Sequence, residues 1–434
     1  MNIFFKAAPI EGTTNAFGKL IDYFSENNID YFYYRCNRDS YSFIAYQFEE
    51  YIDADTRNYV DVLANIKASL QDYLTGLPRD ILSSFPAMLS FIPFDDTKSE
   101  SWSDFSKHLV IPKTIIVSIR DMLFLIERIG SDNFPSEAEN IKAIFIDNLA
   151  HKCSKMPRSE NLVSDNLQHR KQESINNIGL AIEQILNGQI EKVVLARKID
   201  LKISGEPAWS VVKQEMDNYI NSHRFIIRQN GSTFFGTSPE ILFSYRSGKI
   251  FSEALAGTIE RSLANSDDMQ AAVLGNSKKD GVEQSIVVEH IISVLSKYSD
   301  SVVYDKQARI RVTNKLLHLR TRILARHVNK KQLGAIFAEL FPTPAVCGQP
   351  KEKARELLRQ LEEYERGLYS GAIGWTSPDG GMLYFVPLRC ALYKAKTLSI
   401  FAGSGIVADS EPNTEFTETV VKAGSVAALV FDEN

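Results

Sequence analysis

One lysine and three carboxylates stand in patterns that would gather them in one polar cavity. Lys192 lies in IEKVVLAR, Glu240 in TSPEILF, Glu283 in SKKDGVEQ and Glu418 in NTEFTET. An ammonium inside an apolar strand is costly unless it is paired or deprotonated. A base of that kind beside several carboxylates equips an enzyme to hold a divalent metal and to move protons on a small anionic substrate.

Each of these residues also has a plainer reading. Ile190, Val194 and Ala196 share the side of Lys192, and Val193 and Leu195 take the other. The lysine is therefore either a desolvated base or a chain that snorkels to an edge. Glu240 alone is a common turn acid, and its weight comes from its company. Ser277 can cap the helix bearing Glu283, with Asp280 completing an S-x-x-D box. Glu283 shares a face with Val287, Ile291 and Val294, points inward, and needs a cation or a metal.

Glu415, Glu418 and Lys422 fall at i, i+3 and i+7 of the last helix, on one face. That face is either solvated and ion-paired or turned toward a bound cation. Just before it, Gly403, Ser404 and Gly405 can present backbone N–H groups to an anion in a nest-like turn. Arg389, in FVPLRCALY, reads as an arginine inside a strand, either a carboxylate anchor or half of a structural ion pair. His318, in KLLHLRTRI, is a core or rim histidine or a ligand contact.

The whole chain sets bounds on these readings. Its 434 residues are 44% hydrophobic and 24% charged with net charge -5, an ordinary globular composition. Basic residues are dispersed, so no nucleic-acid footprint is expected. MNIFFKAAPIEGTTNAF lacks a basic n-region, and no apolar run approaches about 18 residues, so neither a signal peptide nor a membrane span is expected. Cys36, Cys153, Cys347 and Cys390 are scattered without a CxxC spacing, which suits reduced thiols in a cytoplasm.

Along the chain, YFYYR and YSFIAYQF read as a strand pair around CNRDS, IPKTIIVSI as a strand, and SEAENIKAIFIDNLA as a helix. HKCSKMPRSENLVSDNLQHR reads as a linker. Residues 1–165 are read as an amino-terminal scaffold and 166–434 as the catalytic part, together one compact domain. The second part opens with a helix, ESINNIGLAIEQILNG, which Gly188 stops, and the strand IEKVVLARKIDL. Hairpins follow, with NGS, SPE and RSGK as turns. A helical middle is expected from Ser277 to about Glu365, then more hairpins and the helix TEFTETVVKAGSVAALVF. Meanders of strands with helices between them indicate an antiparallel α+β protein. No GxGxxG or P-loop is present.

Taken together, EKVVLAR, FFGTSPEIL, EALAGTIER, SKKDGVEQ, LFPTPAVCGQPKEKA, YSGAIGW, FVPLRCA and FAGSGIVADSEPNTEFTET resemble the chorismate-utilising enzymes. That family comprises isochorismate synthase, salicylate synthase and the large component of anthranilate synthase. The pieces occur in the family's order over roughly residues 170 to 430. The first third matches only in its aromatic strands and FIPFDD. The resemblance implies two stacked, mainly antiparallel sheets surrounded by helices. It also implies a Mg²⁺-dependent reaction on chorismate with no organic cofactor. By motif position Glu283 and Glu418 match the metal-binding acids, with Glu415 and Asp280 near them. Arg389 and Gly403–Ser404–Gly405 match the contacts to substrate carboxylates, and Ala256, Thr258, His318 and Lys422 match pocket positions.

Members that use ammonia carry Gln where this chain has Lys192, so the lysine implies water as nucleophile. Aminodeoxychorismate synthases often carry Lys where this chain has Ala256. Phe341 replaces a His common before PTPA, and Phe416 replaces a common Trp. The implied reaction is that of an isochorismate synthase. Lys192 deprotonates a water that attacks C2, and Glu240 protonates the departing C4 hydroxyl, which requires both pKa values to move toward neutrality. Salicylate synthase is the alternative, and an ammonia-using component or a non-catalytic chorismate-binding relative are weaker ones. A self-sufficient cytoplasmic monomer is implied, with no obligatory glutaminase subunit, its product serving menaquinone or a siderophore.

Overall fold

The computed structural model describes residues 2–10, 16–36, 41–50, 67–70, 85–95, 100–105, 109–119, 122–128, 141, 143–144, 155–156, 166–168, 170–261, 266–313 and 316–432. Most of the expected helix SEAENIKAIFIDNLA and of the expected linker lies outside the described residues.

The strands form two leaves. The first runs β4 (Lys67–Leu70), β1 (Asn2–Ile10), β7 (Met122–Arg128), β6 (Leu109–Ile119), β3 (Tyr41–Glu50), β2 (Tyr31–Cys36), β9 (His223–Gln229), β10 (Ser232–Ser238), β19 (Cys390–Lys394), β20 (Thr397–Ile406), β8 (Lys192–Lys202) and β16 (Gly348–Gln349). The second runs β5 (Met88–Ile92), β17 (Ala372–Thr376), β18 (Met382–Phe385), β11 (Ile241–Arg246), β12 (Lys249–Glu260) and β15 (Leu316–Arg326), which pairs with both β13 (Ser301–Tyr304) and β14 (Arg309–Val312). A short β5–β6 ladder joins the leaves. Among the described strands every ladder is antiparallel except β1 with β4.

An apolar core fills the space between the leaves, with Phe32, Phe43, Phe225 and Phe234 from the first and Phe243, Ile250, Ile323 and Phe385 from the second. Strands this rich in β-branched and aromatic residues bury their facing sides well. Helices cover the outer faces. α1 (Ala16–Glu26), α3 (Trp209–Asp217) and α8 (Pro412–Ala427) pack over a second core containing Phe17, Trp209 and Val426. α2 (Lys171–Leu186) and α7 (Lys351–Leu361) pack over a third containing Ile178, Val193 and Leu358. α4 (Asp267–Asn276), α5 (Lys278–Lys297) and α6 (Leu333–Leu340) belong to the second leaf's side. The architecture is the α+β arrangement of two antiparallel leaves with surrounding helices that the sequence implied.

The local signals are visible in the backbone. Asn230 and Gly231 (φ 49° and 82°) make the turn between β9 and β10, and Ser247 and Gly248 (φ 49° and 76°) that between β11 and β12. Paired positive φ values match the twist of the flanking strands. Gly188, at φ 71°, follows the end of α2.

Three readings change. The segment expected to be helical from Ser277 to about Glu365 contains β13, β14 and β15, so His318 sits on a strand. Its arginines and leucines favour helix by propensity, yet Arg309-Ile310-Arg311-Val312 alternates with period two, and pairing with β15 decides. SPE is no hairpin turn, because β10 and β11 belong to different leaves. Arg389 lies between strands, at φ 47°, where the chain passes from β18 to β19 and from one leaf to the other. Pro387, just upstream, lacks the N–H that a continuous ladder would need.

Candidate active site

The site is built where the two leaves open beside β8 and β20. Strand alternation puts Lys192 on the inner side of β8, where it is wholly buried. The β20–β8 register sets Gly405 opposite Val194 and Gly403 opposite Ala196. Both partners turn their amides away from β20: Val194 N–H donates to Cys347 O (2.9 Å), and Ala196 N–H to Glu362 Oε1 (2.9 Å). Gly403 and Gly405 therefore also face away from β8, at an edge that β19 no longer covers. Lys422 Nζ, from α8, holds the Gly403 carbonyl at 2.8 Å.

The expected nest-like turn is thus an extended strand. The Gly403 and Gly405 amides face the cavity, but Ser404 alternates to the opposite side and lines a different cavity. Its place among substrate contacts is corrected: strand geometry turns it away.

Ten of the proposed residues line one cavity. Glu240, Ala256, Thr258, Glu283 and His318 come from the second leaf's side, and Arg389, Gly403, Gly405, Glu418 and Lys422 from the other. A bulge at Gly257 (φ 69°) shifts the β12–β15 register between Ala256 and Thr258. It places Thr258 Oγ1 3.0 Å from His318 Nδ1 and aims the Gly257 N–H at Glu283 Oε2 (3.3 Å). Bulges of this kind re-aim side chains beside active sites. Lys192 lies just behind the wall, its Nζ 3.0 Å from Glu283 Oε1. Glu415 and Asp280 lie outside the lining. Glu415 pairs with Lys279 at 2.5 Å, and Asp280 accepts from Ser277, the helix cap expected of it.

The electrostatics divide the titrating groups. Burial pushes the Glu240 carboxyl up to about 8, against the opposing charge of Lys192 and a hydrogen bond from Thr343. Glu283 is held below the usual carboxylate range: burial raises it, but Lys192, Lys279 and Lys422 outweigh that. Burial drives His318 well below its usual value, helped by Arg389 and Lys422, so the ring is neutral. Burial lowers the Arg389 guanidinium to about 10. Among the described residues no carboxylate forms an ion pair with Arg389, which leaves its fork free for an incoming anion.

The acids suit a hard divalent cation chemically, and the charge balance favours one. Asp280, Glu283, Glu415 and Glu418 face Lys192, Lys279 and Lys422, and Glu418 also feels Arg389. Burial, then the neighbouring Glu418, raises the Glu415 carboxyl. With Lys192 neutral, as a base requires, the four acids would exceed the remaining cations, Lys279, Lys422 and Arg389, by one charge. Here each of Glu283, Glu415 and Glu418 meets a lysine, and among the described residues no three ligating side chains converge on one point.

Two further residues belong to the site without any charged motif to mark them. Tyr369 lines the cavity and stacks on Phe401 (centroids 5.2 Å apart). Ser370, at φ 59° and 1% exposed, lines it too. The only trace in the sequence is the small-residue run YSGAIG, which marks close backbone approach without naming a contact. Gly405 is the tightest of the glycines that line the cavity. A Cβ there would stand 2.1 Å from Glu283 Oε1 and 3.2 Å from Lys192 Cε. Gly405→Ala should therefore separate that ion pair and lower kcat by about 10²-fold, a size typical of displaced catalytic groups. Steady-state kinetics beside a thermal melt would check this, and unchanged turnover would rule out this packing.

Comparison with known proteins completes the description. A family model described as chorismate binding enzyme matches residues 11–430. The chain belongs to that family. It is 32% identical over 342 residues to the isochorismate synthase MenF of Bacillus subtilis, covering 77% of this chain and 71% of that protein. It is 33% identical over 247 residues to the salicylate biosynthesis isochorismate synthase of Pseudomonas aeruginosa, covering 57% of this chain but only 52% of that one. In fold it is similar to MenF, the menaquinone-specific isochorismate synthase of Escherichia coli, with a TM-score of 0.74 and 22% identity over 99% of this chain and 94% of the other.

Proposed function

We propose that this chorismate-binding family member is a Mg²⁺-dependent isochorismate synthase, an isomerase of the hydroxymutase type. The observation that carries the reading is the opposition of two groups at one cavity. Glu240, with its carboxyl at about 8, is an acid that keeps its proton at neutral pH, and Lys192 is a buried amine held by Glu283. In this reading Lys192 takes a proton from water as the water oxygen bonds to C2 of chorismate. The ring double bonds shift, and the C4 hydroxyl leaves as water with the proton from Glu240. Arg389 and the Gly403 and Gly405 amides hold substrate carboxylates, and neutral His318 with Thr258 orders the ring side.

Glu283 and Glu418 would hold the cation, supported by Glu415 and with Asp280 nearby. Bound there, Mg²⁺ would neutralise the charge of a substrate carboxylate. The charge count among these acids and cations supports this assignment. We place the enzyme in the cytoplasm as a monomer that needs no glutaminase subunit. Cys36, Cys347 and Cys390 are unpaired thiols, and no helix among the described residues is long and apolar enough to cross a membrane.

The test is to incubate the purified protein with chorismate in Mg²⁺ or in EDTA and separate the products. Mg²⁺-dependent isochorismate with little pyruvate is the expected result. Salicylate with equimolar pyruvate would replace the reading by a salicylate synthase. Chorismate binding without turnover would leave only a binding protein.

A further inference from the structure

On the far side of β8 and β20 from the catalytic cavity lies a second, smaller cavity of about 40 Å³. It is lined by Arg197 and Ser404, with Ser174, Asn177, Phe416 and Thr419. That volume takes about three water-sized spheres or one small ion. Two observations make it more than a packing flaw. The Arg197 guanidinium has no acidic partner: among the described residues no carboxylate lies within ion-pair distance. Its visible contacts are a hydrogen bond from Nη2 to the Leu167 carbonyl and a stack on the Phe416 ring at 4.6 Å, while buried Nη1 donates to nothing. Ser404, 1% exposed, likewise has a hydroxyl with no hydrogen-bond partner. A half-buried guanidinium with one buried, unsatisfied N–H and a buried, unsatisfied hydroxyl in one small cavity are each costly. Burial lowers the Arg197 guanidinium to about 10, the mark of a charge lacking a counter-ion.

We propose that Arg197 and Ser404 form a binding site for a small monovalent inorganic anion of chloride size. The ion supplies the missing counter-charge and accepts from Arg197 Nη1 and the Ser404 hydroxyl. The open cleft beside it shares Ser174, Asn177, Ala196, Arg197 and Leu361 with the cavity and carries Arg170 and Lys198 among Glu173, Asp200, Glu362 and Glu363. The position gives the ion leverage on the active site. Ser404 stands between the two glycines whose amides face substrate, and Phe416 is on the helix that carries Glu418. An ion here ties β8, β20 and α8 together.

The test melts the full-length protein at constant ionic strength while gluconate, too large for the cavity, is exchanged for chloride, bromide or nitrate. A saturable rise in Tm of about 2–4 °C with chloride or bromide and none with gluconate is expected. Arg197→Gln should abolish the salt-specific rise. Ser404→Val, which keeps the arginine but fills the space, should weaken it at least fivefold in the midpoint concentration. Broadening of the ³⁵Cl resonance by the wild-type protein gives a readout independent of stability. A rise identical in gluconate, a rise that survives Arg197→Gln, or a chloride resonance that the protein leaves sharp would each overturn the proposal and leave water in the cavity.

Discussion

Glu240→Gln should lower kcat by about 10³-fold while leaving the fold intact, since a general acid contributes about 10² to 10⁴. The amide keeps the shape of the protonated carboxyl and cannot release a proton. The wild-type pH profile should show the same group. With its carboxyl pushed up to about 8, Glu240 is protonated below that value, so kcat falls as pH rises through about 8. Stability carries the matching sign. From the ordinary carboxylate value of 4.5 up to about 8, the folded state holds a proton that the unfolded state has lost, so stability declines with pH across that window. Glu240→Gln should flatten the decline. Melts at several pH values beside kcat profiles would check both, and an alkaline limb that persists unchanged in Glu240→Gln would assign it to another group.

Lys192→Met should be nearly as damaging to turnover, by about 10² to 10⁴, and it should also weaken the fold. Removing one member of a buried pair strands the other, at a cost of about 3–5 kcal/mol. The lower end is expected here, because the Gly257 N–H still donates to Glu283, and Lys279 and Lys422 still attract it. Lys192→Met with Glu283→Gln should recover most of the lost stability and none of the activity. Denaturant unfolding and kinetics on the two singles and the double separate the roles. A folded Lys192→Met protein with near wild-type turnover would remove the lysine from the mechanism.

Residue type and motif order are enough to name most of the residues that line the candidate cavity. Ten proposed positions line one cavity because strand alternation, helix periodicity and the bulge at Gly257 deliver them there. Period-two alternation and positive-φ turn residues likewise make the hairpins readable. The departures share a physical origin. Gly403-Ser404-Gly405 looks like a turn from its composition, yet the β8 partner holds it extended, and that partner lies some two hundred residues away in sequence. The same pairing turns Ser404 away from the substrate side. The strands β13 to β15 hide in a segment whose composition favours helix until β12 offers a ladder. Arg389 reads as a strand residue because nothing local announces that β18 and β19 belong to different leaves. Tyr369 and Ser370 needed the third dimension, since neither belongs to a charged pattern. Arg197 carries no signal in the sequence, because only the structure reveals that its Nη1 is buried without a hydrogen-bond partner among the described residues.

The most direct test of the central claim follows oxygen. Chorismate is converted in H₂¹⁸O with Mg²⁺, and the product is isolated and weighed by mass spectrometry. Isochorismate carrying one ¹⁸O at C2 for every turnover is expected, and the Glu240→Gln and Lys192→Met proteins should form the labelled product about 10² to 10⁴ times more slowly. Unlabelled isochorismate would contradict it, because the hydroxyl would then have moved within the substrate without water as nucleophile.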